Sequence, residues 1–166
     1  MDSKMHIQVL KLLDELKIPF KNFEHDSVLT VEEARSVDDS IDTMPTKNLF
    51  LKDKKKNYFL VTTYAYQDIN IKSLAKQIGA KGGLSFAKAE DLLEYLNLKP
   101  GSVTPFGLIH AAKSSKQVKF FLHNKLYEAA TIGIHPLRND MTIVISPKDL
   151  EMLLNSLNTV CYIIHF

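Results

Sequence analysis

The chain has 166 residues, 45% of them hydrophobic and 24% charged, and a formal net charge of +2. That is the length and composition of one ordinary globular domain, which buries about 70% of its unfolded surface and needs no disulfide or metal staple. The lone Cys161 excludes an internal disulfide and suits a reducing compartment, while 21 basic against 19 acidic residues exclude the strongly basic footprint of a general nucleic-acid binder.

Residues 4–17 set Val9, Leu10, Leu13 and Leu16 on one helical face. This N-terminal stretch mixes acids among its apolar residues and has neither the apolar core nor the cleavage site of a signal peptide. No segment approaches the roughly 18 apolar residues of a membrane helix. A soluble, cytoplasmic protein with no membrane partner is expected.

Pro19 ends the first helix, and Phe20 to His25 reads as a short strand. Thr30-Val31-Glu32-Glu33 is a capping-box pattern that starts a short helix reaching about Ser36. Asp38 to Pro45 reads as an irregular loop. Two strands follow, Lys47 to Lys52 and Tyr58 to Tyr64. The run Lys52-Asp53-Lys54-Lys55-Lys56 joins them and reads as a solvated hairpin turn more than as a polyanion site. Asn70 caps a helix through Ile78, stopped by Gly79. A strand over Leu84 to Phe86 and a helix over Ala87 to Leu96 lead to the turn signal Lys99-Pro100-Gly101.

Val103 to Ile109 and Val118 to Leu122 read as strands, with His123-Asn124-Lys125 as a turn. Met141 to Ile145 is a strand. Ser146 then caps a helix with Pro147 at its first position, where a missing N–H costs nothing. Val160 to Phe166 completes the pattern as a terminal strand. The fold class this predicts is α+β, a substantial mixed sheet with helices packed around it.

The chain has no phosphate loop, dinucleotide fingerprint, HExxH, CxxC or GxSxG motif. Its six histidines show no metal-ligand spacing, so neither a metal nor a cofactor is expected. Cys161 lies in an apolar strand and reads as a small buried hydrophobe.

Three segments can carry chemistry. Lys47 opens an apolar strand; it either lays its stem on the surface or projects its cation from the sheet toward a phosphate. Pro100-Gly101-Ser102-Val103-Thr104-Pro105 is either a plain turn or a stiff loop whose amides approach a ligand and hold a developing oxyanion. In Gly133-Ile134-His135-Pro136-Leu137-Arg138-Asn139, His135 is either structural or a pocket wall and donor.

Taken together, KNLFL from Lys47, GSVTPFGLI from Gly101 and HPLRN from His135 resemble the prolyl-tRNA editing-domain family, closest to its freestanding Ala-tRNA(Pro) deacylases. His25 with Thr30-Val31-Glu32-Glu33-Ala34, Thr142 after Asn139, and the Ser146-Pro147-Lys148-Asp149-Leu150 helix start fit the same pattern over essentially the whole chain. Relatives often continue the second motif with Ile-Asn-Asp, where this chain reads Ile109-His110-Ala111.

The resemblance implies a barrel-like mixed sheet surrounded by helices, one editing domain over residues 1–166, and no metal or cofactor. It implies that Lys47 and Gly101 serve the reaction. Lys47 would meet the terminal adenosine phosphate region of the tRNA. The Gly101–Pro105 loop would place the ester carbonyl, and His135 would select by size. Thr30, Ser102, Val103, Thr104, Pro105, His135 and Asn139 complete the substrate-binding set. The implied partners are mischarged tRNA and, as a candidate, prolyl-tRNA synthetase. A Cys-tRNA(Pro) deacylase and a non-catalytic tRNA- or synthetase-binding module are the alternatives.

Overall fold

The computed structural model describes residues 3–27, 30–137 and 140–166. Among the described residues, strands and helices alternate along the chain. Helix α1 (Ser3–Glu15) is followed by β1 (Lys21–Glu24), α2 (Val31–Ser40), and the long β2 (Met44–Asp53) with its hairpin partner β3 (Tyr58–Tyr64). Then come α3 (Ile71–Ile78), β4 (Leu84–Phe86), α4 (Ala89–Leu96) and α5 (Leu108–Lys113). The chain ends with β5 (Val118–His123), α6 (Asn124–Tyr127), β6 (Ile132–Ile134), β7 (Met141–Ile145), α7 (Pro147–Ser156) and β8 (Cys161–Ile164).

The strands form one eight-stranded mixed sheet in the order β1-β7-β6-β2-β3-β5-β8, with β4 also paired to β2. Strand β2 is the hinge of this layout. Its first residues, Met44 and Pro45, run parallel to β6, and residues 46–52 run antiparallel to β3. The α+β class with a mixed sheet and surrounding helices is what the chain forms.

Local chemistry explains most elements. Thr30 accepts a hydrogen bond from the Glu33 N–H while Glu33 accepts one from the Thr30 N–H, closing the capping box at the start of α2. Asn70 caps α3 and Gly79 ends it in the left-handed region at φ 74°. Ser146 caps α7, with Pro147 at its first turn. In the lysine-rich turn, Asp53 is buried and accepts from the N–H groups of Lys55, Asn57 and Lys81 and from the Asn57 amide. Lys54, Lys55 and Lys56 are exposed, so the run is the solvated turn the sequence suggests.

Strand alternation sorts side chains onto two faces. One face carries Phe50, Leu60, Phe120, Leu122, Ile132, Ile134, Ile143 and Ile145, all buried in the main core beneath α1, α4 and α7. Val9, Leu13, Leu92, Leu96, Leu150 and Leu153 meet them there. Burying each such side chain contributes roughly 1.5–3 kcal/mol. The other face carries a smaller core in which Leu51, Phe59, Val61 and Phe121 lie under Leu74 and Ile78 of α3.

Three expectations are corrected and one strand is added. The segment Val103 to Ile109 is not a strand: Thr104 caps a 3-10 turn over Pro105–Gly107 that runs into α5. An unbroken apolar run fits a buried helix as well as a strand. Here Gly107 settles it, because a Cβ there would stand 2.9 Å from Leu98 Cδ1, a closeness that lets α5 lie against α4. Helix α2 runs to Ser40 rather than Ser36, and β2 begins at Met44, so most of the expected Asp38–Pro45 loop is regular structure. The turn at His123-Asn124-Lys125 is the end of β5 followed by one helical turn. Strand β6 is the addition, since three residues are too few to leave a periodic signal in the sequence.

Candidate functional site

The second face of the sheet is apolar over only half its width. On β2, Leu49 and Leu51 point toward α3, whereas the same alternation places Thr43, Pro45 and Lys47 beyond its reach. The register continues that polar half across the sheet. Pro45 pairs Gly133 on β6, Gly133 pairs Val144 on β7, and Thr142 pairs Phe23 on β1. His135 and His25, one step past the ends of β6 and β1, fall on the same face.

Contacts confirm the cluster. His25 Nδ1 donates to the Asp26 carbonyl at 2.9 Å, so in the neutral ring Nε2 accepts from the Thr142 hydroxyl at 3.0 Å. His135 Nδ1 donates to the Met141 carbonyl at 3.0 Å. In the neutral ring that fixes the tautomer and leaves Nε2 as an acceptor with no partner among the described residues. The two rings meet edge to face with centroids 6.4 Å apart. Gly133 keeps the floor beneath them low, since a Cβ there would meet Thr43 Cγ2 at 2.9 Å and Thr142 Cγ2 at 3.2 Å.

The Gly101–Pro105 loop is tied directly to this cluster. The buried Thr104 hydroxyl donates to the His135 carbonyl at 2.6 Å and accepts from the Phe106 N–H. Gly101 sits at φ 84°, a backbone that glycine adopts without strain. The Ser102 N–H is bonded to the Lys99 carbonyl. The N–H groups of Gly101, Val103 and Thr104 have no partner among the described residues.

Lys47 is half-buried at the border between the two halves of the face. Its Nζ donates to the Gln67 carbonyl at 2.6 Å, and the hydroxyl of its neighbour Thr46 donates to the Gly133 carbonyl at 2.7 Å. Strand β2 is thereby fastened to the segment that carries His135. The lysine is held by its stem and one backbone acceptor, with further N–H groups on the ammonium for a ligand.

Helix α2 supplies residues that the sequence did not single out. Asp38 is half-buried, accepts the Tyr66 hydroxyl at 2.8 Å on Oδ2, and lies within electrostatic reach of His135 and His25. Burial is the main influence on its carboxyl and raises it above the usual value, against the lowering effect of the Tyr66 hydrogen bond. Tyr66 is pushed up to about 12, by burial first and by the Asp38 hydrogen bond second. The Arg35 guanidinium stacks over the same ring at 4.7 Å. No sequence pattern marks Asp38, because its segment reads as a polar loop until tertiary packing extends the helix.

Of the expected site residues, Thr104 and His135 meet in a hydrogen bond, Lys47 shares a sheet face with His135, and Gly101, Ser102, Val103 and Pro105 lie on the loop that Thr104 ties down. The Thr30 hydroxyl is engaged in the α2 cap. Asn139 lies outside the described residues. A cleft of about 990 Å³ opens beside the cluster, lined from this face by Phe23, Thr43, Pro45 and Val144 and from the main-core side by Met44 and Ile145. Lys47, Gly101 and His135 do not line it, so the cleft adjoins the polar cluster without containing it. Cys161 takes no part: burial pushes its thiol up to about 12, out of the range of a nucleophile. Among the described residues no group of three metal-binding side chains comes together. No helix there is long and apolar enough to cross a membrane.

This fold recurs in solved structures. The crystal structure of a candidate trans-editing enzyme for prolyl tRNA synthetase superposes with a TM-score of 0.70 at 16% identity, covering 97% of this chain and 96% of that one. Sequence relatives narrow the class. The prolyl-tRNA editing protein ProX of Acetoanaerobium sticklandii is 37% identical over 158 residues, 94% of this chain and 93% of its own length. The prolyl-tRNA synthetase associated domain-containing protein 1 of Mus musculus is 36% identical over 151 residues, 89% of this chain and 88% of its own. The family model for the aminoacyl-tRNA editing domain matches residues 25–153. The chain belongs to the aminoacyl-tRNA editing domain family, and its class of reaction is hydrolysis of the aminoacyl ester.

Proposed function

We propose that the whole chain, residues 1–166, is one cytoplasmic trans-editing domain that deacylates mischarged proline tRNA, with Ala-tRNA(Pro) as its principal substrate. What supports this reading is that Lys47 and His135 share one half of a sheet face, with the Gly101–Pro105 loop tied to His135 through Thr104, in a chain that is 37% identical to a prolyl-tRNA editing protein.

The need for such an enzyme is physical. A synthetase pocket shaped for proline cannot exclude the smaller alanine, because one or two methylenes discriminate by only about 1–3 kcal/mol. A second, hydrolytic sieve removes the error. An aminoacyl ester is already activated, so the enzyme needs placement of carbonyl and water more than a strong nucleophile.

In this reading Lys47 anchors the phosphate region of the tRNA's terminal adenosine. The open N–H groups of the Gly101–Pro105 loop hold the ester carbonyl and the negative charge that develops on it. Thr104 keeps that loop against His135, whose ring walls the aminoacyl pocket and limits the side chain admitted. Water attacks the carbonyl carbon, the ester C–O bond breaks, and alanine and free tRNA leave; the terminal ribose hydroxyl assists in activating the water. Prolyl-tRNA synthetase is the candidate protein partner.

The deciding experiment compares Ala- and Cys-charged tRNA(Pro) in one deacylation assay. Faster release of alanine, unaffected by chelators, is the expected result. Preferential release of cysteine would make the chain a Cys-tRNA(Pro) deacylase, and tight tRNA binding without any release would make it a binding module.

A further inference from the structure

The deacylase reading assigns a partner to the substrate's phosphate and to its ester carbonyl, and none to the third chemical handle of an aminoacyl ester. That handle is the α-amino group, with an ordinary pKa of about 7.7–8.0 for such an amine and therefore substantially cationic at neutral pH. A cation entering a partly dehydrated site needs an anionic or strongly polar acceptor.

The polar half-face offers one. Asp38, on α2, lies within electrostatic reach of His25 and His135, which are gathered with Thr142 at one edge of the sheet. Its Oδ2 is fixed by the Tyr66 hydroxyl at 2.8 Å, and its Oδ1 has no partner among the described residues. The Arg35 guanidinium lies over the Tyr66 ring, and among the described residues no ion pair is made to Asp38. Asp39, next in the chain, is exposed to solvent. Within that reach of Asp38, the neutral His135 ring presents Nε2 as a second open acceptor. A carboxylate held on one oxygen and open on the other, next to an imidazole acceptor, suits an ammonium's three tetrahedral donors.

Resting on the deacylase reading, we infer that Asp38, oriented by Tyr66 and assisted by His135 Nε2, binds the α-ammonium of the aminoacyl group. The site is thereby specific for a free amino acid ester and rejects N-blocked or peptidyl esters.

The test uses the full chain with two substrates, Ala-tRNA(Pro) and its N-acetylated form, which keeps the ester but loses the charge. Wild type is expected to cleave the acetylated ester about 10- to 100-fold less efficiently, the size of one charged hydrogen bond. Asp38→Asn should lose a similar factor on Ala-tRNA(Pro) and little more on the acetylated ester. Tyr66→Phe keeps the carboxylate but frees its orientation, and should lose about 3- to 10-fold on the free amine alone. It serves as the second variant if Asp38→Asn fails to fold in a thermal melt. Equal cleavage of both esters by wild type, or equal losses on both esters in the variants, would overturn the inference by giving Asp38 a purely structural role. Failure of wild type to cleave either ester would instead refute the deacylase reading.

Discussion

Along β2 one face of the sheet changes character within a few residues. Leu49 and Leu51 sit with Phe59 and Val61 under Leu74 and Ile78, a dry contact between sheet and α3. Thr43 and Pro45, on the same face of the same strand, look instead toward Gly133, Thr142 and two histidines, with Asp38 of α2 nearby. Lys47 stands on the border. The first half can be rigid because every group in it gains by excluding water. The second half keeps open acceptors and donors, which are costly to bury and are retained where a ligand will complete them. Stability and chemistry are thus separated on one surface, and substitutions should move one without the other.

The largest effect is expected on the dry half. Leu74→Ala should lower unfolding free energy by about 2–5 kcal/mol in denaturant titrations, since Leu74 is fully buried, while kcat/KM per folded molecule stays near wild type. The border residue should behave in the opposite way. Lys47→Ala should reduce kcat/KM for deacylation by about 100-fold, near 2.7 kcal/mol in the barrier, with Tm within about 2 °C of wild type. A variant that deacylates as fast as wild type would remove Lys47 from the site.

Gly101→Ala falls between the two. Its φ of 84° is strained for any side chain, by about 1–2 kcal/mol, although nothing crowds the added methyl. The loop should relax and deacylation should fall with only a small drop in Tm. Thr30 tests the far end of α2. Thr30→Ala should cost about 1 kcal/mol through loss of the cap, and Thr30→Asp, which can cap, should restore both stability and activity. A stable but inactive Thr30→Asp protein would place the residue on the substrate instead.

The smallest effect lies in the hairpin turn at the dry end. Burial would raise the Asp53 carboxyl, but hydrogen bonds from Asn57, Lys81 and Lys55 outweigh it and bring it to about 2. The folded value is below the unfolded value of about 3.9, so this stabilisation is fully present above pH 4. It is lost as pH falls through 4 toward 2. Asp53→Asn should be less stable at neutral pH and should show a flatter decline in that window.

Much of this was legible in the residues. The capping box at Thr30, the Asn70 and Gly79 helix limits, the β2–β3 hairpin and the Ser146-Pro147 start all depend on neighbours within four positions, and all form. The motifs at Lys47, Gly101 and His135 could be read too, because each is a contiguous run. Asp38 could not. Its role depends on Tyr66, 28 residues away, and on two histidines that reach it only when β1, β6 and β7 align.

The sequence by itself determined the elements whose stabilising contacts are local, the fold class and the family, because periodicity, caps and short motifs act within a few residues. Tertiary structure decided that Val103 to Ile109 coils into a 3-10 turn and helix, since only the packing of Gly107 against Leu96 and Leu98 distinguishes two ways of burying the same apolar run. It also decided which half of one sheet face is dry and which is open. Strand register assigns each side chain to a face, but only the placement of α2 and α3 over that face determines what it meets.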